Sequence, residues 1–337
     1  MGTLELRLTC LDQLILAREQ LEHVDAMNGR VAHVLTDNAV ELMLHHQAEQ
    51  TLQHKWSHPE VTDVSNKDES DYLGRHLKPK LKLAKLLGVL NNEEAEFVLI
   101  NHEIRNEVYH TGVRHEAVIW DIGWHHHSFA CSLLPNVKFG LGISWGFGRN
   151  VSPRHKTYVP SQDDLLRGDF GKNFAAICDQ VATKSVTPNK SLGNVLSQRM
   201  SEDIETLDSA LDWIEGNDGK PLSRNEIIIE SQLWSALFDE ERRSKFRKKS
   251  SPLTAQQLGA EKLRNLILVL GNFLEPPITK DPVAGWKRKA HALNREKGAI
   301  KSLKRFQALR MEMTDLFGDV MRSAGALENH LDQLRGK

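Results

Sequence analysis

Cysteine is scarce in this chain. Its 337 residues hold three, Cys10, Cys131 and Cys178, far apart and with no Cys-x-x-Cys pair. Neither a disulfide framework nor a thiolate zinc site is therefore expected, and a reducing, cytoplasmic compartment is. No apolar run reaches the ~18–20 residues that a membrane span needs, so no membrane role is expected. The stretch from Met1 to Leu6 carries an acid and no basic residue, which does not suit a secretory signal, and Leu6 stands where myristoylation wants Ser or Thr. Nucleotide and hydrolase signatures are missing too. The glycines at 140, 142, 146 and 148 are followed by no Gly-Lys-Ser/Thr, no Gly-x-Ser-x-Gly elbow exists, and no cysteine has an evident histidine partner. What is present is ordinary globular material: 40% hydrophobic and 26% charged residues, enough for a core and too apolar for disorder.

The net charge of −1 conceals a segregation. Residues 201–240 hold eleven acids and two bases, Lys220 and Arg224, whereas residues 280–310 hold ten bases and two acids, Asp281 and Glu296. The basic segment interleaves Trp286 and Phe306 with Lys287, Arg288, Lys289, Lys301, Lys304 and Arg305. That mixture suits a nucleic-acid backbone, and Lys287, Arg288 and Lys289 are its candidate RNA contacts. The opposing reading makes the segment a solvated face or a partner for the acidic region.

Helical periodicity dominates, so the expected fold is mostly α. Apolar residues at helical spacing predict helices over 4–27, 31–53, 77–90, 92–111 and 115–134, with Gly123 interrupting the last of these. The polar stretch 55–72 reads as a long loop. At 137–148 the period changes to alternation of Val137, Phe139, Leu141, Ile143, Trp145 and Phe147 with small residues, which predicts a strand. Residues 149–200 read as connector with a helical piece near 174–181, and helices resume at 201–216, 225–247, 254–274 and 285–334, the last with a kink at Gly298. The expected organisation is an N-terminal bundle (1–135), a connector with a β-strand (136–200) and a C-terminal helical domain (201–337).

The helix over 92–111 is the most informative segment. Turned at about 100° per residue, it gathers Phe97, Ile100, Ile104 and Val108 on one face. The opposite face carries His102, Arg105, Asn106, Tyr109 and His110. Arginine binds phosphate through a charged fork, and histidine moves protons near neutral pH. Together they suit phosphodiester chemistry. Arg105 and His110 sit about 140° apart around the helix, so a second copy brought in by a two-fold axis would complete a site.

The run from Arg105 through Asn106 to His110, late in a helix of a bundle, resembles the Arg-x4–6-His signature of HEPN domains. The resemblance covers about residues 1–135. It implies a helical bundle that pairs with a second such domain, and a metal-independent endoribonuclease without cofactors, in which the RNA 2′-hydroxyl attacks the adjacent phosphate. On that analogy His110 is the general acid/base, Arg105 stabilises the phosphorane, and Asn106 positions the backbone or His110. His102 and Tyr109 become substrate-binding candidates. The family includes toxins and antiviral, abortive-infection effectors, which implies a defence role and a regulatory protein partner. One toxin subgroup has Tyr two residues after the His, where this chain has Gly112. Two further Arg/His pairs, Arg18 with His23 and Arg149 with His155, lack the context: Arg18 is followed by Glu19, and Pro153 interrupts the other.

Other candidates carry less. His54 and His58 have helical ligand spacing, but Pro59 and the loop context argue against a helix and no third ligand is evident; His45, His46 and Glu49 are similar, with adjacent histidines facing apart on a helix. The cluster His125, His126 and His127, beside Trp120, Trp124 and Phe129, suits base stacking or an exposed face. The competing functions are a non-catalytic helical module that binds RNA or protein, and a metallohydrolase built on the histidines.

Overall fold

The computed structural model describes residues 3–55, 64–111, 115–137, 170–183, 187–217, 222–246, 271 and 273–335, apart from the side chains of 3–5, 110, 111, 170–173 and 183. Among the described residues every regular element is helical. They form α1 (Thr3–Leu21), α2 (Ala26–Gln53), α3 (Asn66–Leu73), α4 (Leu77–Leu86), α5 (Asn92–Thr111), α6 (Ile119–Leu133) and a 3-10 turn, Leu134–Asn136. These are followed by α7 (Phe170–Thr183), α8 (Leu192–Asn217), α9 (Arg224–Phe238), α10 (Glu240–Phe246), α11 (Val283–Leu293) and α12 (Ala299–Leu334). The expected strand lies beyond Val137, outside the described residues. No helix is long and apolar enough to cross a membrane among those described.

Two compact units result, one of Met1–Val195 with Glu296–Lys304, the other of Leu196–Arg295 with Arg305–Lys337. In the first, α2 is the central helix: α1, α3, α4, α5 and α6 all pack on it. Its start is set by Asp25, whose side chain accepts from the Asn28 backbone at 2.9 Å. The main core joins Leu11, Leu14, Val40, Met43, Leu81, Val98 and Leu134. Phe174, Ile177, Cys178 and Val181 bring α7 into the same core at i, i+3, i+4 and i+7. Residues 170–200 are therefore more helical than a connector, and Ser191 begins α8. All three cysteines are buried and free, and burial pushes Cys10 and Cys178 up to about 12, far from reactive thiolates.

Several expected boundaries move for local reasons. The loop over 55–72 contains α3, because Ser65 accepts from the Asp68 backbone, Asp68 and Glu69 occupy the first turn, and Tyr72 is buried. The helix over 77–90 ends earlier, with Gly88 in the left-handed region at φ 68°. The helix over 225–247 divides at Asp239, which adopts extended backbone and caps Arg242. The kink at Gly298 is a full break between α11 and α12.

Gly123 does not interrupt α6; it lets α2 and α6 touch. A Cβ on Gly123 would lie 3.1 Å from the Gly29 carbonyl oxygen. A Cβ on Gly29 would lie 2.7 Å from the Trp120 Cα, a backbone atom that cannot yield. Trp120 also donates from Nε1 to the Leu21 carbonyl at 3.2 Å, which fastens α6 to the end of α1. Overpacking between two backbones costs about 1–3 kcal/mol or more. Gly29→Ala is expected to lower stability by at least that amount in denaturant melts, and Gly285→Ala, which meets nothing within 4 Å, is expected to be neutral or stabilising.

Candidate active site

Helix α5 begins with a reciprocal cap: Asn91 Oδ1 accepts from the Glu94 backbone at 2.9 Å, and Glu94 Oε2 accepts from the Asn91 backbone at 2.8 Å. Phe97, Ile100, Ile104 and Val108 are buried, as the expected apolar stripe requires. The far side of the helix carries Arg105. Its Nη1 donates to Asn106 Oδ1 at 3.0 Å and its Nη2 donates to Asn38 Oδ1 at 3.1 Å. Its Nε lies 3.7 Å from Asp37 Oδ2. The guanidinium is 5.7 Å from the ring centroid of Tyr109, which is 73% exposed. Fixing the plane this way commits one N–H of each amino group to an amide oxygen. His110 lies five residues further along α5, and its side chain falls outside the described residues.

Asp37, on α2, is the residue that sequence reading missed. It is buried, yet its Oδ2 accepts a hydrogen bond from His102 Nδ1 at 2.9 Å. Burial by itself would raise this carboxyl, but the His102 hydrogen bond and the nearby histidines bring it below the ordinary carboxylate value. In return the hydrogen bond to Asp37 raises His102. One signal was present in the sequence: an Asp-Asn pair inside the apolar pattern of α2, where both residue types are poor helix formers and need a tertiary reason.

Asp37, Glu41 and His102 bring their donor atoms within 4.8 Å of one another, a set that can ligate a metal. The charge arrangement speaks against it. The Asp37 carboxylate already holds His102 and lies against the Arg105 guanidinium, and a divalent ion there would face that cation. We read the trio as a hydrogen-bonded Asp37–His102 pair with Glu41 at its edge.

The other candidates fall elsewhere. His126 and His127 are fully buried and face the core, while His125 is half-buried with its ring 4.9 Å from that of Trp124. Such residues occur inside because an aromatic ring can pack while staying neutral. His126 meets His33 at 5.0 Å and the edge of Phe97 at 6.1 Å between ring centroids, and His127 Nε2 bonds the Leu14 carbonyl at 2.9 Å. His33 Nε2 bonds the Asn101 carbonyl at 3.0 Å. His45 and His46 both lie near Glu49. His58 is outside the described residues.

In the basic segment the interleaved aromatics are buried, Trp286 and Phe306 alike. Lys287 donates to Asp208 at 2.6 Å and Lys289 to Glu312 at 2.8 Å, while Arg288 is exposed. Arg224 adds ion pairs to Asp208, Asp212 and Asp281. Within the second unit Lys287 thus links the basic segment to Asp208 of the acidic one, and Lys289 pairs with Glu312, outside that acidic segment. No family model, curated protein or solved structure matches the chain.

The buried histidines give the fold a pH dependence. Burial depresses His125 and His127 to about 4 and His126 to about 3. Between about pH 6.5 and 4 the unfolded chain therefore binds protons that the folded chain refuses. Their contribution is complete above about pH 6.5 and is lost as pH falls. Melting temperature is expected to drop steeply over that window, and His126→Leu, which cannot titrate, should flatten the slope.

Proposed function

We propose that this protein is a metal-independent endoribonuclease whose site is the polar face of α5. The observation that carries the reading is Arg105: a guanidinium held in one plane by Asn38 and Asn106 and backed by buried Asp37. Two parallel N–H groups of one arginine match two non-bridging phosphate oxygens. Tyr109, exposed beside it, offers a ring on which an unpaired base can stack.

The RNA 2′-hydroxyl attacks the adjacent phosphorus, negative charge builds on the non-bridging oxygens, and the bond to the 5′-oxygen breaks. Arg105 opposes that charge from a position fixed before the reaction, which is why it stabilises the transition state more than a mobile lysine would. His110, about 140° around the helix and roughly 7.5 Å along it from Arg105, serves proton transfer. The two are too far apart to share a local site on one helix, so the active species is a homodimer with α5 at the interface, each His110 working beside the other copy's Arg105.

Arg105→Ala and His110→Ala are each expected to reduce RNA cleavage by about 10²–10⁴; His110→Ala should melt close to wild type, whereas Arg105→Ala, which takes a partner from buried Asp37, should melt lower and is assayed below its melting transition. The wild-type products should end in 2′,3′-cyclic phosphate, DNA of the same sequence should stay intact, and EDTA should have no effect. A 3′-hydroxyl product or a requirement for Mg²⁺ would refute the mechanism. Assembly is checked separately. Added His110→Ala chains should depress wild-type activity beyond dilution, and full activity of a monomer at nanomolar concentration would rule the dimer out.

A further inference from the structure

Cleavage by a 2′-hydroxyl needs two proton transfers, one from the nucleophile and one to the leaving oxygen. One histidine can do both only in turn. Three residues before Arg105 on α5, about 60° around the helix from it, stands a second histidine with an unusual setting. His102 Nδ1 is taken by Asp37 Oδ2 at 2.9 Å, and the Asp37 side chain is only 1% exposed. The carboxylate fixes the ring orientation and sets the proton on Nδ1, so Nε2 carries the lone pair. The side chain is 18% exposed, so part of the ring is open to solvent on the same helix as Arg105. A buried carboxylate holding Nδ1 of a partly exposed imidazole is the arrangement by which a histidine becomes a general base.

We propose that His102, oriented by Asp37, is the general base that takes the 2′-hydroxyl proton, and that His110 is left as the general acid. The inference rests on the ribonuclease reading and assigns a second catalytic residue to the same site. The step balances. The 2′-O–H bond breaks and its proton passes to His102 Nε2, while the oxygen's electron pair forms the new bond to phosphorus. The bond from phosphorus to the 5′-oxygen breaks, its electron pair stays on that oxygen, and a proton from His110 caps it. The imidazolium of His102 then returns its proton to water, and water reprotonates His110. Asp37 touches no reacting atom; it is a positioning residue.

The charged and titratable groups around His102 are Asp37, Glu41 and His33 on α2, Arg105 on α5 and His126 on α6. Its hydrogen bond to Asp37 raises it, and Arg105 opposes that shift. Removing the carboxylate as Asp37→Asn lowers the basicity of Nε2, so the acid limb of the pH–rate profile should move to lower pH and the plateau rate should fall about 10–100-fold.

The decisive test uses two substrates and the full-length chain. One is an RNA oligonucleotide; in the other, sulfur replaces the scissile 5′-oxygen, so the leaving group departs without a proton. His102→Gln, which keeps a donor for Asp37, is expected to lose about 10²–10³ in rate on both substrates. His110→Ala is expected to lose that much on the oxygen substrate and regain most of it on the sulfur one. If His102→Gln does not fold, the shift of the acid limb in Asp37→Asn decides. Wild-type rates in folded His102→Gln with Arg105→Ala inactive would overturn this assignment alone, as would rescue of His102→Gln by the sulfur substrate. A wild-type protein that leaves RNA intact, or that EDTA silences, would overturn the ribonuclease reading and this assignment with it.

Discussion

A single buried carboxylate organises the polar half of the first unit. Asp37 lies on the central helix with its side chain 1% exposed. A charge so placed survives only when it is hydrogen-bonded and paired. His102 and Arg105, both on α5, meet that need at 2.9 and 3.7 Å. The register of α5 on α2 follows. Shift α5 by one residue and its apolar stripe leaves the core while the Asp37 carboxylate loses both partners. Removing one partner of a buried pair typically costs about 3–5 kcal/mol, more than most single apolar contacts contribute. The same constraint immobilises Arg105 and His102, so what holds the helices in place also orders the groups proposed to act on phosphate.

The packing around α2 supports this. Gly29 and Gly123 let α6 approach α2 so closely that a methyl group at Gly29 would collide with backbone. That approach brings His126 against His33, in the layer below Asp37. Rings that can stay neutral tolerate this interior, and a lysine or arginine there would not. The histidine count of 16, high for the length, therefore divides by location: His33, His126 and His127 lie in the core, and His102 is partly exposed on α5.

The second unit solves a different electrostatic problem. Its acidic and basic segments are far apart in sequence, and pairing makes them neighbours. Arg224 gathers Asp208, Asp212 and Asp281, and Lys287 joins Asp208. Asp319, with 1% of its side chain exposed, is held between Arg242 and Arg322. Charges engaged in this way contribute less field outside the molecule than the sequence suggests, so the basic segment is a weaker polyanion surface than its composition implies.

Local chemistry alone determined much of this. The limits of α5 were legible because Asn91 and Glu94 cap it, and its two faces because Phe97, Ile100, Ile104 and Val108 recur at helical spacing. The polar set of His102, Arg105 and Asn106 could be read from the same wheel. The helices at α3 and α7 were harder, since a serine cap and a few buried side chains decide them against a polar background. Gly123 looked like an interruption because a helical wheel has no second helix in it. The histidines at 125–127 looked like a surface because sequence does not reveal burial. Only the tertiary structure could bring Asp37, sixty-five residues before His102, to hydrogen-bonding distance. It alone could turn Lys287 and Lys289 toward acids. Spacing along a helix is fixed by its pitch, so sequence carries it; the partner across the core is fixed by how helices pack, and no single segment encodes that.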